Sequence, residues 1–286
     1  MKKPQVITIV VAAVAVVLLL AFGRTVPKAG SKPVAETKAA DHDHEGAAGG
    51  FSIDTVLATS KKELPANQVL RLDLLEQSIT RGDVKKQKLE VYHQLAHFWK
   101  DTAKSFIPYA WFTAESARLE NSEKSLNFAA QIFLSQLTQV ENESTRHWMA
   151  EQAKDLFEKT LSVNPANDSA QVGLGATYLY GGIGTPMEGI GKIRAVVEKD
   201  STNIYAQMTL ATASLMSGQK QKAQERLETV LKLQPQNIQA ILMLGDIYEK
   251  DGDKDQAVQW YSKAVKLVQR ADIRTELEKR IEALKK

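Results

Sequence analysis

Cysteine is absent from all 286 residues. That excludes disulfides, thiolate catalysis, cysteine-ligated metal and the acylated cysteine of a lipoprotein. A surplus of one charge is absent too, because 37 Lys and Arg stand against 34 Asp and Glu. Nothing here marks the basic face that nucleic-acid binding requires. From Leu64 onward β-branched runs are few, which leaves little material for strands. Long apolar runs are missing as well, with one exception at the N-terminus.

That exception is "VITIVVAAVAVVLLLAF", Val6 to Phe22, in which only Thr8 is polar; it follows Met1-Lys2-Lys3. Its 17 residues lie at the lower limit for crossing a bilayer and just above a signal-peptide apolar region. We read residues 1–23 as one N-terminal transmembrane helix. Small residues at Ala21 and Gly23 keep open the alternative of signal cleavage and a soluble, periplasmic or secreted product. Arg24, Lys28 and Lys32 follow the span and blunt the charge argument for orientation. The brevity of the basic stub favours a cytoplasmic N-terminus, with the rest of the chain on the far, periplasmic side of a bacterial-type inner membrane. Residues 24–63 read as a flexible linker, since Arg24 to Gly50 is rich in Ala, Lys, Pro and Gly without apolar periodicity. Within it, "DHDHE", Asp41 to Glu45, alternates carboxylates and imidazoles. So short a tract must first order itself to hold zinc or copper, and reads as charged linker.

"GGIGTPMEGIGK", Gly181 to Lys192, has the look of a phosphate loop. Aligning Gly191-Lys192 with the end of that motif puts Pro186 at the required first glycine and Ile193 at the required Ser/Thr. As a dinucleotide fingerprint, Met187 falls where the third glycine belongs. Both motifs need a strand upstream, whereas "AQVGLGATYLYGG" reads as a helix with a glycine-marked end. A structural reason for the glycines is required instead.

The reason comes from self-similarity. The segment from Asn237 lies over the segment from Asn203 at a shift of 34 residues without a gap, matching Ala240 to Ala206, Leu244 to Leu210, Gly252 to Gly218, Ala257 to Ala223 and Leu267 to Leu233. Ile241, Leu244-Gly245, Tyr248, Ala257, Tyr261 and Ala264 in the last unit resemble the tetratricopeptide repeat family. The preceding unit keeps Leu210-Ala211, Ala223, Leu227 and Pro235, but has Ser214 where the family has Tyr. One unit earlier, Leu174-Gly175 and Tyr178 mark a first helix, and Ile193, Val196 and Val197 a second, two residues further apart than in the later units. The glycines then form an enlarged inter-helix turn, with Thr185-Pro186 opening the next helix.

The resemblance implies an all-α, right-handed superhelical solenoid over 64–286, built from about five helix pairs. They span roughly 83–121, 122–167, 168–203, 204–237 and 238–271, the last three being typical repeats. Caps are expected from Asn67 to Ile79 at the front and over 272–286 at the back. There Asp272 would N-cap a helix with Ile273, Leu277, Ile281 and Leu284 on one stripe.

Few residues invite chemistry. Glu90, His93, His97 and Asp101 fall on one helical face, but Gln94 stands where a metalloprotease needs Glu. His147 is isolated. No Ser-His-Asp order, glycine elbow or carboxylate pair can be defended, so the chain reads as non-enzymatic, without cofactor or bound metal.

What remains is the groove that the family lines with its first helices. Members that bind chaperones clamp a peptide carboxylate with Lys and Asn at the fifth and ninth positions. Here those positions hold Val172, Met208 and Leu242, then Ala176, Thr212 and Asp246. With Leu179, Tyr205, Leu215 and Glu249, they form a candidate groove for an amphipathic helix or apolar segment of a protein partner. The expected role is a membrane-tethered interaction scaffold in the cell envelope. Alternatives are an assembly factor of the protein-export or cytochrome c maturation type, or a metal-binding envelope protein using His93 and His97 or the Asp41–Glu45 tract.

Overall fold

The computed structural model describes residues 51–81 and 85–286. The expected membrane span, most of the expected linker and the Asp41–Glu45 tract lie outside the described residues. Among the described residues are thirteen α-helices and no strand. They are α1 (Ile53–Lys62), α2 (Ala66–Arg81), α3 (Lys85–His97), α4 (Phe106–Glu120), α5 (Glu123–Leu134), α6 (Glu143–Val163) and α7 (Asp168–Gly181). After these come α8 (Pro186–Lys199), α9 (Ile204–Met216), α10 (Lys220–Leu233), α11 (Ile238–Lys250), α12 (Lys254–Leu267) and α13 (Ala271–Leu284). A π-helical turn, Phe98–Thr102, continues α3. No helix among the described residues is long and apolar enough to cross a membrane.

From α2 onward each helix packs on its neighbours in sequence, and α5, α7 and α9 also touch side by side. The five pairs are therefore α3–α4, α5–α6, α7–α8, α9–α10 and α11–α12, close to the limits read from the repeat. Asparagine sets the start of three first helices. Asn167, Asn203 and Asn237 accept from the backbone N–H of Ala170, Ala206 and Ala240 at 2.7, 2.9 and 3.0 Å, supplying an acceptor for a donor that the first turn leaves unpaired. The three alanines are fully buried, so cap and core contact are fixed together.

Between α7 and α8 the enlarged turn is present. Gly182 adopts φ +69°, a left-handed conformation natural to glycine. Thr185 and Glu188 close a capping box, with Pro186 opening the helix. Only part of the glycine stretch is turn, however, for Gly189 and Gly191 lie within α8.

Two expectations are corrected. In the described part of the linker expected over 24–63, residues 53–62 form α1, capped by Ser52. Phe51 stacks on Trp148 with ring centroids 4.3 Å apart, and Ile53 and Leu57 pack onto the front cores; this apolar contact holds the helix down. At the other end Asp272 is not the N-cap of α13. Arg270 holds that position, Asp272 sits in the first turn paired with Arg270, and Ile273 is exposed while Leu277 and Ile281 are buried.

Second helices are tied to each other by charge. Arg118 on α4 donates to Glu115 at 2.9 Å, to Asp155 on α6 at 3.0 Å and to Gln152 at 2.6 Å. Its guanidinium also lies over the Trp111 ring. Planar, with five donors, it satisfies three acceptors from one partly buried site.

Candidate partner-binding face

Aligning the helix caps fixes the register of the first helices. Ser122 caps α5 as the asparagines cap α7, α9 and α11, and Leu95-Ala96 on α3 aligns with Leu244-Gly245. The fifth and ninth positions of the five pairs are then His93 and His97, Asn127 and Gln131, Val172 and Ala176, Met208 and Thr212, and Leu242 and Asp246. The front two pairs are polar there, which a reading confined to the last three repeats does not find. The signal available in the sequence was Ser122 at the cap position.

Packing divides the expected groove residues. Val172 is fully buried against Ile193 and Val196 of α8 and Ala206 and Leu210 of α9. Ala176 is buried with Leu174 in the front core, and Met208 is 8% exposed among Ala211, Leu227 and Leu244. These three are core residues: α7, which carries Val172 and Ala176, is pressed between α5 and α9, and Met208 on α9 is covered by α10 and α11.

Tyr205 and Thr212 remain half-buried and join a cluster that crosses three helices. The Gln131 amide on α5 lies 3.4 Å from the Tyr205 hydroxyl, and Tyr180 on α7 lies near Tyr205 and Thr212 on α9, where the Thr212 hydroxyl donates to the Met208 carbonyl at 3.1 Å. Burial pushes the Tyr180 phenol up to about 12, with Tyr205 adding to the rise. Burial likewise raises Tyr205. Both hydroxyls stay protonated at neutral pH. Leu179 is half-buried beside Val172 and Tyr205.

Further back, Leu215 and Asp246 line one small depression with Met243 and Lys250, and Leu242 packs towards the last core. Asp246 and Glu249 are engaged by the chain itself. Arg280 of α13 reaches Asp246 at 3.0 Å and Glu249 at 2.7 Å, and the Tyr261 hydroxyl lies 2.7 and 2.8 Å from the same carboxylates. Burial first, and then those carboxylates, raise the Tyr261 phenol. Asp246 and Glu249, expected to face a partner, are thus paired with the chain's own C-terminal cap.

At the front, His93 and His97 are exposed, and His97 Nδ1 pairs with Asp101 Oδ2 at 3.2 Å. Among the described residues no group of three or more His, Asp or Glu is placed to hold a metal. His147 is exposed beside the buried Trp148.

Stacked, sequence-adjacent helix pairs with aligned first helices define a helical-repeat solenoid, a scaffold class in which each pair buries its apolar face on the next. Residues 208–272 match the tetratricopeptide repeat family. No curated protein matches the chain. Solved structures similar to it include MamA, residues 41 to the end, from Desulfovibrio magneticus RS-1, at 22% identity over 65% of this chain and 96% of that one, with a TM-score of 0.43. PilW, described as a widely conserved type IV pilus biogenesis factor, is 19% identical over 68% of this chain and 92% of its own, TM-score 0.46. YrrB, described as a repeat protein of this family with an unusual peptide-binding site, is 16% identical over 72% and 97%, TM-score 0.40.

Proposed function

We propose that this chain is a non-enzymatic scaffold that binds a protein segment across the faces of its first helices, tethered to the inner membrane through Val6 to Phe22. The observation that carries the reading is the cluster Gln131, Tyr180, Tyr205 and Thr212. It presents amide and hydroxyl groups from three helices on one half-buried face, and an extended main chain or a polar-edged helix needs such donors and acceptors. Tyrosine adds contact area at low entropic cost.

A photo-crosslinking amino acid placed at Leu179, Gln131 or Leu215 in cells should give discrete protein adducts, and the same group at an exposed second-helix position such as Glu198 should not. Equal labelling at both sets of positions sinks the reading. Tethering is tested separately by protease added to intact spheroplasts, which should digest residues 51–286, while without protease the protein stays in the membrane fraction.

A further inference from the structure

We propose that α13 is an internal stand-in for a partner helix: the seat on α11 and α12 that it fills accepts an external amphipathic helix carrying arginine between apolar residues, and α13 opens to admit it. This deepens the scaffold reading and rests on it.

The seat has an apolar and a polar part. Ile241 of α11, with Ala257, Tyr261, Ala264 and Val268 along and just past α12, forms a buried apolar surface that takes Leu277 and Ile281 of α13. Asp246 and Glu249 stand beside it on α11. The Tyr261 hydroxyl has one proton for two carboxylates, 2.7 and 2.8 Å away, so the pair calls for a cation. Arg280 supplies it, 3.0 Å from Asp246 and 2.7 Å from Glu249, with its guanidinium 4.6 Å above the Tyr261 ring. A planar guanidinium bridges two carboxylates and stacks on a ring at once, which a compact ammonium does not. The seat therefore reads arginine directly before one buried apolar residue and three positions after another.

The helix that fills it is thinly held. α7, α9 and α11 bury eight, seven and five residues, but α13 buries only Leu277 and Ile281. Residues 271–276 are all exposed. Arg270 at the N-cap makes no capping hydrogen bond, whereas Asn167, Asn203 and Asn237 cap α7, α9 and α11. The ties of the first turns are local, Arg270 to Asp272 and Arg274 to the Val268 carbonyl at 2.8 Å. Residues 268–270 are non-helical and offer a hinge. A segment with few buried apolar contacts opens at less cost than the core it rests on.

What lies beside the seat favours an outside helix over a second copy's α13. Leu215, Met243 and Ile247 line a depression that also reaches Asp246, and no residue of α13 lines it. A partner helix that fills both seat and depression gains contacts that α13 lacks. Another copy of α13 would replace like with like.

The test uses the full chain in nanodiscs and a fluorescent peptide of residues 271–286. The parent should bind this peptide weakly, because its own α13 competes at high effective concentration. The Arg280→Glu chain should bind it at least about tenfold more tightly, and a peptide that itself carries Arg280→Glu should lose that gain. An alanine-based helical peptide keeping only Leu277, Arg280, Ile281 and Leu284 should bind as the native peptide does. Amide exchange on the parent checks the opening without any substitution: α13 should exchange through a local opening, well before α11 and α12. Equal protection of α12 and α13, equal binding to parent and Arg280→Glu, or no binding to either overturns the proposal. A dimer that grows with concentration and is lost in Arg280→Glu makes a second copy the occupant and overturns the outside helix. Crosslinks from Leu179 and Gln131 do not use this seat, so they judge the scaffold reading separately.

Discussion

Gly175 and Gly189 face each other across the α7–α8 crossing so closely that a Cβ on Gly189 would lie 2.4 Å from the Gly175 carbonyl oxygen. Backbone meets backbone there, and neither can swing aside. Gly191, two residues along the same helix, has nothing within 4 Å of the same position. Helix propensity alone favours Ala over Gly by about 1 kcal/mol at both sites. Gly189→Ala should nevertheless destabilise by roughly 1–3 kcal/mol through overpacking, while Gly191→Ala should stabilise by up to about 1 kcal/mol. Urea denaturation of the two variants checks the sign, and a stabilised Gly189→Ala would refute the close crossing.

Met208 and Leu215 share a helical face yet differ in burial. Met208→Glu places a charge in the core and should cost more than about 2 kcal/mol, comparable to the roughly 2–5 kcal/mol expected for Leu210→Ala. Leu215→Glu, at a half-buried rim, should cost clearly less. Thermal melts that rank Met208→Glu with Leu215→Glu contradict this placement.

Acid should unpin α4 from α6. Burial acts to raise the Asp155 carboxyl, but hydrogen bonds from Lys159 and the Arg118 charge outweigh it and hold the group below its ordinary 3.8. A lowered folded value means that the stability it contributes is whole at neutral pH. It declines as the unfolded carboxyl gains its proton near 3.8, and is lost once the folded carboxyl follows. Asp155→Asn should be less stable than the parent at pH 7, and the gap should narrow steadily as the pH is lowered through and below the ordinary carboxyl range. A stability difference that persists unchanged into acid would count against the pairing.

At the back, one hydroxyl proton on Tyr261 faces two carboxylates and can serve only one at a time. Arg280 supplies the remaining compensation, its guanidinium 4.6 Å above the Tyr261 ring. Tyr261→Phe should cost about 1–2 kcal/mol and speed amide exchange in α13 more than in α9. Uniform acceleration across the chain would show that the network does not single out the cap.

Much of this architecture was legible in the residues. The shift of 34 that aligns Asn237 with Asn203 and Leu244 with Leu210 placed two helix pairs, Leu174-Gly175 and Ile193 placed a third, and Thr185-Pro186 announced the start of α8, because small, large and capping residues at fixed spacing leave one economical way to stack helices. Local chemistry sufficed there. The partner face was less legible, since helical period assigns residues to a face without saying what covers it. Val172, Ala176 and Met208 share the first-helix register with Thr212, yet side-by-side contact of α5, α7 and α9 buries the first two, α10 and α11 cover Met208, and Arg280, distant in sequence, occupies Asp246 and Glu249. Repeat period, caps and turns were thus determined by neighbours in sequence; which polar and apolar groups stay open to a partner was decided only by contacts between helices.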